Sequence, residues 1–146
     1  LIIMSNSIVT KNISTEAACA AAQAAVEKAK EIGIGINVSV VDSGATEIAF
    51  LRMNNSFLPS MSIAKDKAYT AAGFGFPTMQ WGDVLQGNAQ LQAGIVGRPN
   101  VVTFGGGLPI IEGEEIIGAI GVSGGSEEED ILCAQAGIDA INTVLV

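Results

Sequence analysis

Apolar and polar positions along the chain fall into two periods, and the switches between them mark the elements. Through "NISTEAACAAAQAAVEKAKEIG" small apolar residues recur at helical spacing, with Ser14 or Thr15 placed to cap, Glu16 in the first turn and Gly33 as the stop. An alanine-rich helix is expected, and whatever packs on Ala17, Ala21, Ala24 and Ala25 has to approach closely. "INVSVVD" then alternates Ile36, Val38 and Val40 against Asn37, Ser39 and Val41, "DSGA" turns, and "TEIAFLRM" resumes as a second strand, which makes a hairpin.

"LPSMSIAKDKAYTAAG" returns to the helical period, with Pro59 and Ser60 at its start and Gly73 at its end. "FGFPTMQWGDVLQG" reads as a turn and a short helix capped by Thr78, just past Pro77. "QGNAQLQAGIVGRPN" has no period and much polarity, so it is expected to be a loop, long enough to be functional. "VVTF" reads as a strand, "GGG" as a turn, and "LPIIEGEEIIGAIGVSGG" as two strands folding back at Glu112, Gly113 and Glu114; a last helix is expected from Ser126 to about Val144. The order α-β-β-α-α-β-β-β-α with tight hairpins predicts an α+β fold, a five-stranded antiparallel sheet flanked by helices.

At 146 residues the whole chain, 1–146, fits one domain, with 1–9 as an N-terminal segment and Met4 as the expected natural start. Hydrophobic residues make up 49% and charged residues only 15%, which predicts apolar surface covered by further copies of the chain. Net charge is −8 and the seven basic residues form no run, so nucleic acid and anionic membranes are poor partners. Apolar runs such as "IIGAIGV" are far shorter than the ~20 residues a membrane helix needs, and nothing at the start resembles a signal peptide; a cytoplasmic protein is expected. Cys19 and Cys133 sit in alanine-rich patterns as free thiols, and with no histidine anywhere neither a metal site nor triad chemistry is expected.

"GAIGVSGGSEEED" has the look of a phosphate cradle, an apolar run ending in glycines before a helix. The acidic residues argue otherwise. Ser126 and Glu129 have capping-box spacing, and an anion there would meet Glu127, Glu128, Glu129 and Asp130, which already use the helix dipole. Those four cannot converge on a metal, because successive helical side chains point about 100° apart.

Positive charge is more informative. Arg52, Lys65 and Lys67 fall within sixteen residues of an otherwise acidic chain, Lys67 beside the apolar stripe of its helix and Lys65 in line with Tyr69. Such a group can hold a small carboxylate with Arg52 as the bidentate partner, Lys67 beside it and Tyr69 donating a hydrogen bond; the other reading is of solvated, snorkelling side chains. Without histidine, Lys67 is the best available general base, if burial lowers its pKa toward neutrality.

"VVDSGA", "FLRMNNSFLPSMSIAKDKAYTAAGF", "FPT", "VVTFGGGLPI" and "IGAIGVSGGSEEED", in this order, resemble the GlcG/HbpS-like or haem-degrading domain family, which includes the C-terminal domain of PduO-type proteins. The resemblance runs from about residue 10 to residue 142 and implies a profilin-like fold and homo-oligomers from dimers up to octamers. It implies pocket or interface roles for Arg52, Met53, Lys67, Tyr69, Thr70, Gly105, Gly106, Pro109, Ser123 and Gly124. Members are variously linked to haem binding or degradation, cobalamin metabolism, glycolate utilisation and lyase chemistry on hydroxylaminobenzoate. Haem is thus implied as a cofactor, yet this chain has no histidine to ligate it, which leaves Tyr69, a methionine, a cysteine or the main chain. Three functions stay open: a binding protein for a small, anionic molecule, related to tetrapyrroles (haem or corrinoid); a cofactor-free lyase or isomerase acting on a small carboxylate such as an aromatic hydroxylamino acid; and a structural oligomeric subunit.

Overall fold

The structure is a computed structural model that describes residues 4–142. The expectations for the first three residues and for the helix end at Val144 lie outside them.

Helix α1 (Thr15–Ile32) begins where Ser14 Oγ accepts from the Ala17 N–H at 3.1 Å and ends at Gly33 in the left-handed conformation. It buries Ala18, Ala21, Ala22, Ala25 and Ala29. Strands β1 (Asn37–Asp42) and β2 (Glu47–Arg52) form the expected hairpin. Helix α2 (Ser60–Phe74) runs past Gly73 to a left-handed cap at Gly75. Helices α3 (Trp81–Leu85) and α4 (Ala89–Val96), strands β3 (Gly107–Glu112) and β4 (Glu115–Ser123), and helix α5 (Glu127–Ile141) complete the chain.

Among the described residues the sheet has four strands, not five, all antiparallel in the order β2-β1-β4-β3. "VVTF" is the strand that does not form. The Val102 N–H donates to Thr70 Oγ1 at 3.0 Å, so this segment is bonded to a helical side chain instead of a strand edge. The expected loop 86–100 contains α4, capped where Asn88 Oδ1 accepts from the Leu91 N–H at 3.0 Å. No residue of α4 is buried, so no amphipathic period was written into it. Thr78 opens a single 3₁₀ turn without capping it; its hydroxyl accepts from the Gly107 N–H at 2.9 Å.

Side-chain alternation along β1 and β4 sends successive residues to opposite faces. Ile36, Val38, Val40, Ile120 and Val122 pack with the alanines of α1 and with Cys133 and Ala134 of α5 in the main core. Val41 and Ala119 on the other face meet Ala68 and Ala71 of α2. Helix α2 lies close enough that a Cβ on Gly121 would collide with the Ala64 carbonyl and the Ala68 backbone. The result is three layers, α1 and α5 on one face of the sheet and α2 on the other, which is an α+β architecture.

Candidate functional site

Lys67 lies on the sheet-facing side of α2 and is 1% exposed, among the most deeply buried side chains of the protein. Its Nζ donates to the Val122 carbonyl at 2.8 Å and to Asp130 Oδ2 at 3.0 Å, and it lies 5.1 Å from the centre of the Phe104 ring. Asp130 Oδ1 accepts from the Gly125 N–H at 2.8 Å, and Glu127 Oε1 accepts from the Gly105 N–H at 2.6 Å. Burial pushes the Lys67 ammonium below its ordinary pKa, while Asp130 and then Glu127 pull it back up. Burial likewise raises the Asp130 carboxyl, against the opposing pull of Lys67. The glycine run is fitted to this pair: a Cβ on Gly106, at φ +125°, would stand 2.6 Å from Lys67 Nζ.

Three of the four consecutive acids of α5 therefore have separate tasks, and Glu128 is exposed. Glu129 completes the capping box with Ser126, Glu127 holds the Gly105 turn, and Asp130 neutralises Lys67. The anion site suggested by the glycine–helix junction is filled by the protein's own carboxylates. Asp130 is the residue that sequence reasoning passed over; only its place on the inner side of the first turn signalled it.

The expected grouping of Arg52, Lys67 and Tyr69 around one pocket does not occur: each sits in a different environment. Arg52 Nη2 donates to the Ser56 carbonyl at 3.2 Å on the α1 side of the molecule. Together with Lys30, Val26, Leu51 and Met53, Arg52 lines a cavity of about 370 Å³. Leu51 also borders a second cavity of about 280 Å³, lined by Cys19, Ala22, Ile48 and Phe50. The two follow one stripe of α1 (Cys19, Ala22, Gln23, Val26, Lys30) along β2, forming a groove that is apolar for most of its length, with Arg52 and Lys30 at one end, Lys30 paired with Glu27 at 3.2 Å. Met53 is half-buried there, with its Sδ accepting from the Ile36 N–H at 3.3 Å.

Tyr69 faces the opposite side, 43% exposed, on a cavity of about 290 Å³ between α2 and the β1–β2 hairpin. Ser39, Glu47, Lys65, Asp66 and Asn100 share its lining. The Thr70 hydroxyl lies 2.7 Å from the Asp66 carbonyl and 3.1 Å from that of Asn100, and accepts from the Val102 N–H, which ties the 100–102 segment to α2. Pro109 borders a cavity of about 440 Å³ with Phe76, Gln80 and Gln135. Ser123 is buried opposite Asn37 in the sheet, and Gly124 rests on the backbone of Gly35 and Ile36.

Haem, the group implied by the resemblance, can be tested against these residues. The groove suits a flat apolar macrocycle whose carboxylates meet Arg52 and Lys30. Axial donors are scarcer. Met53 Sδ is engaged, and the Cys133 thiol is buried with its pKa pushed by that burial up to about 11, which leaves Cys19, exposed on the groove. No group of His, Cys, Asp and Glu side chains suited to a metal ion occurs among the described residues. No helix among them is long and apolar enough to cross a membrane.

Comparison with known proteins places these features in a family context. Residues 13–139 match the family model described as haem degrading protein HbpS-like. The chain is 40% identical over 123 residues to the corrinoid adenosyltransferase PduO of Salmonella typhimurium, covering 82% of this chain but only 36% of PduO. The crystal structure of the Klebsiella pneumoniae protein ORFY superposes with a TM-score of 0.91 at 34% identity, covering 99% of this chain and 100% of ORFY. A PduOC:heme complex superposes with a TM-score of 0.82 at 36% identity, covering 90% of this chain and 96% of PduOC.

Proposed function

This chain belongs to the HbpS-like haem-degrading protein family, and from that premise we propose that it binds a tetrapyrrole-class small molecule in the α1–β2 groove. We further propose that it works as a homo-oligomer. The observation that carries the ligand assignment is the lining of the groove: a run from Cys19 to Leu51, apolar but for Gln23, that ends at Arg52 and Lys30. Charge-assisted hydrogen bonds from a guanidinium to a carboxylate give such a ligand its direction, while the alanine and leucine surface takes its flat face. Support from relatives is of the same kind, since heme is bound in the PduOC complex and PduO as a whole is a corrinoid adenosyltransferase. Adenosyl transfer belongs to a protein of which this chain spans about a third, and it is no part of the proposal.

Lys67 has no direct role in this reading. A lyase using it as the base would require Phe104 and the glycine run to lift off an ammonium that is 1% exposed.

Titration of the protein with haem, followed by absorbance, tests the proposal. A Soret shift at micromolar protein is expected, weakened about tenfold or more in Arg52→Gln and altered in position in Cys19→Ala, with Tyr69→Phe unchanged. A shift lost in Tyr69→Phe but kept in the other two would move the ligand to the opposite face. No shift at all would remove haem and leave other small molecules.

A further inference from the structure

The cavity beside Tyr69 has a different chemistry from the groove. Its floor is apolar, Val41 and Ala45, and its walls come from three elements: Ser39 of β1, Glu47 of β2, and Lys65, Asp66 and Tyr69 of α2. Ser39 Oγ donates to Glu47 Oε2 at 2.9 Å, which fixes that carboxylate and leaves Oε1 facing Lys65. Lys65 Nζ stands 3.9 Å from Glu47 Oε1, beyond hydrogen-bond reach, and 4.8 Å over the Phe50 ring. Ammonium and carboxylate therefore form a loose, partly exposed ion pair with no hydrogen bond between them.

Around that pair stand further polar groups. The Tyr69 hydroxyl, the Asp66 carboxylate and the Asn100 side-chain amide have no hydrogen-bond partner among the described residues. Partial burial raises the pKa of the Asp66 carboxyl, so a cation brought against it would be welcome. Lys65 and Tyr69 are four residues apart and share one side of α2, which puts an ammonium and a phenol donor together on one wall. Glu47 and Asp66 supply the acceptors.

A simple carboxylate could use Lys65 and Tyr69 but would meet two carboxylates; a simple amine could use Glu47 and Asp66 but would meet an ammonium. A molecule with both charges satisfies both sets at once, lying head to tail against the Lys65–Glu47 pair so that each of its ends faces the opposite charge. A volume of about 290 Å³ lies just below the ~300–1,000 Å³ of ligand pockets, which suits a compact ligand. We infer that this cavity is a second binding site, separate from the α1–β2 groove, and that it takes a small zwitterion: an amino acid in the broad sense, with its carboxylate on Lys65 and Tyr69 and its ammonium on Glu47 and Asp66.

The test is calorimetric titration of the intact protein at low ionic strength with glycine, β-alanine and 4-aminobutyrate, each compared with the matching acid (acetate, propionate, butyrate) and the matching amine. At least one zwitterion is expected to bind tenfold or more tighter than both of its halves. Glu47→Gln should reduce that zwitterion to the affinity of its acid, Lys65→Met should reduce it to that of its amine, and Tyr69→Phe should weaken it several-fold. All three positions are at least partly exposed, and circular dichroism checks that each variant folds. If acids bind as tightly as zwitterions and Lys65→Met abolishes both, the cavity is an anion site; if amines do so, it is a cation site. Either result overturns the zwitterion. Absence of heat with every probe, together with unshifted Tyr69 ring resonances at tens of millimolar probe, overturns the site itself. None of these outcomes bears on the haem titration, which reads the other face.

Discussion

The Lys67–Asp130 pair is held by the geometry of the groups around it. A buried ammonium needs its protons placed, and here a carbonyl, a carboxylate and an aromatic face receive them. Lys67→Met keeps the unbranched stem, one atom shorter, but leaves a buried carboxylate whose remaining partners are backbone N–H groups. The variant should lose about 3–5 kcal/mol in denaturant unfolding at neutral pH. Adding Asp130→Asn should restore much of it, because the Asn Oδ1 can still accept from Gly125. The pH dependence has a definite sign. Without Lys67, only the backbone N–H groups of Gly125 and Gly124 still oppose the effect of burial on Asp130, so its folded pKa rises further above the ordinary 3.8. A raised carboxyl contributes stability that is present below the unfolded pKa and lost as pH rises through the folded one, so the deficit of Lys67→Met should shrink as pH falls toward 4. A deficit that grows on acidification would show that Asp130 is not the group left stranded. Lys67 was legible in the sequence as a cation beside an apolar stripe. Its partner was not, because Asp130 lies 63 residues away and its acidic neighbours all suit the start of a helix.

Elements were legible wherever their signals are local. The Ser14 cap, the Gly33 stop, the Ser126 and Glu129 capping box and the β1–β2 alternation each reside in a few consecutive residues, and each formed as expected. Two whole segments differ from expectation, besides the Thr78 cap and the Gly73 stop. Helix α4 has a cap but no buried side, and periodicity reports burial, not helicity. Residues 101–104 have strand-like composition, yet Thr70 claims the Val102 N–H before a strand can. Thr70→Val keeps the shape of the side chain and removes that acceptor. Leaving a buried N–H unpaired should cost about 1–3 kcal/mol. Hydrogen exchange at the Val102 amide should accelerate by at least tenfold while the β1 amides slow or hasten only with global stability. Equal acceleration at both would mean that Thr70 supports the whole fold instead of one segment.

On the scale of the molecule, apolar surface is concentrated where a lone chain leaves it open. From Met79 to Asn100 only Trp81 is buried, while Met79, Val84 and Val96 stand 46%, 43% and 59% exposed. Trp81 anchors the near end through edge-on contact with Phe74, ring centres 4.9 Å apart; beyond it, α3 and α4 form an arm with little of the protein beneath it. The arm is also electrically quiet, with Asp83 and Arg98 as its only charged residues in a chain of net charge −8. Two copies meeting through their arms would remove apolar area at roughly 25 cal/mol per Å² without bringing most of their negative charge together. Light scattering on the intact chain at micromolar concentration should therefore give a dimer or a larger closed assembly. Leu91→Ser combined with Val96→Ser should shift it toward monomer by at least tenfold in dissociation constant, with little loss of monomer stability because neither side chain is buried. A chain that is monomeric before substitution would leave the arm without an occupant of its own kind. An oligomer indifferent to both serines would place the contact elsewhere, with Phe57 and Leu58, 67% and 71% exposed, the next apolar pair to substitute.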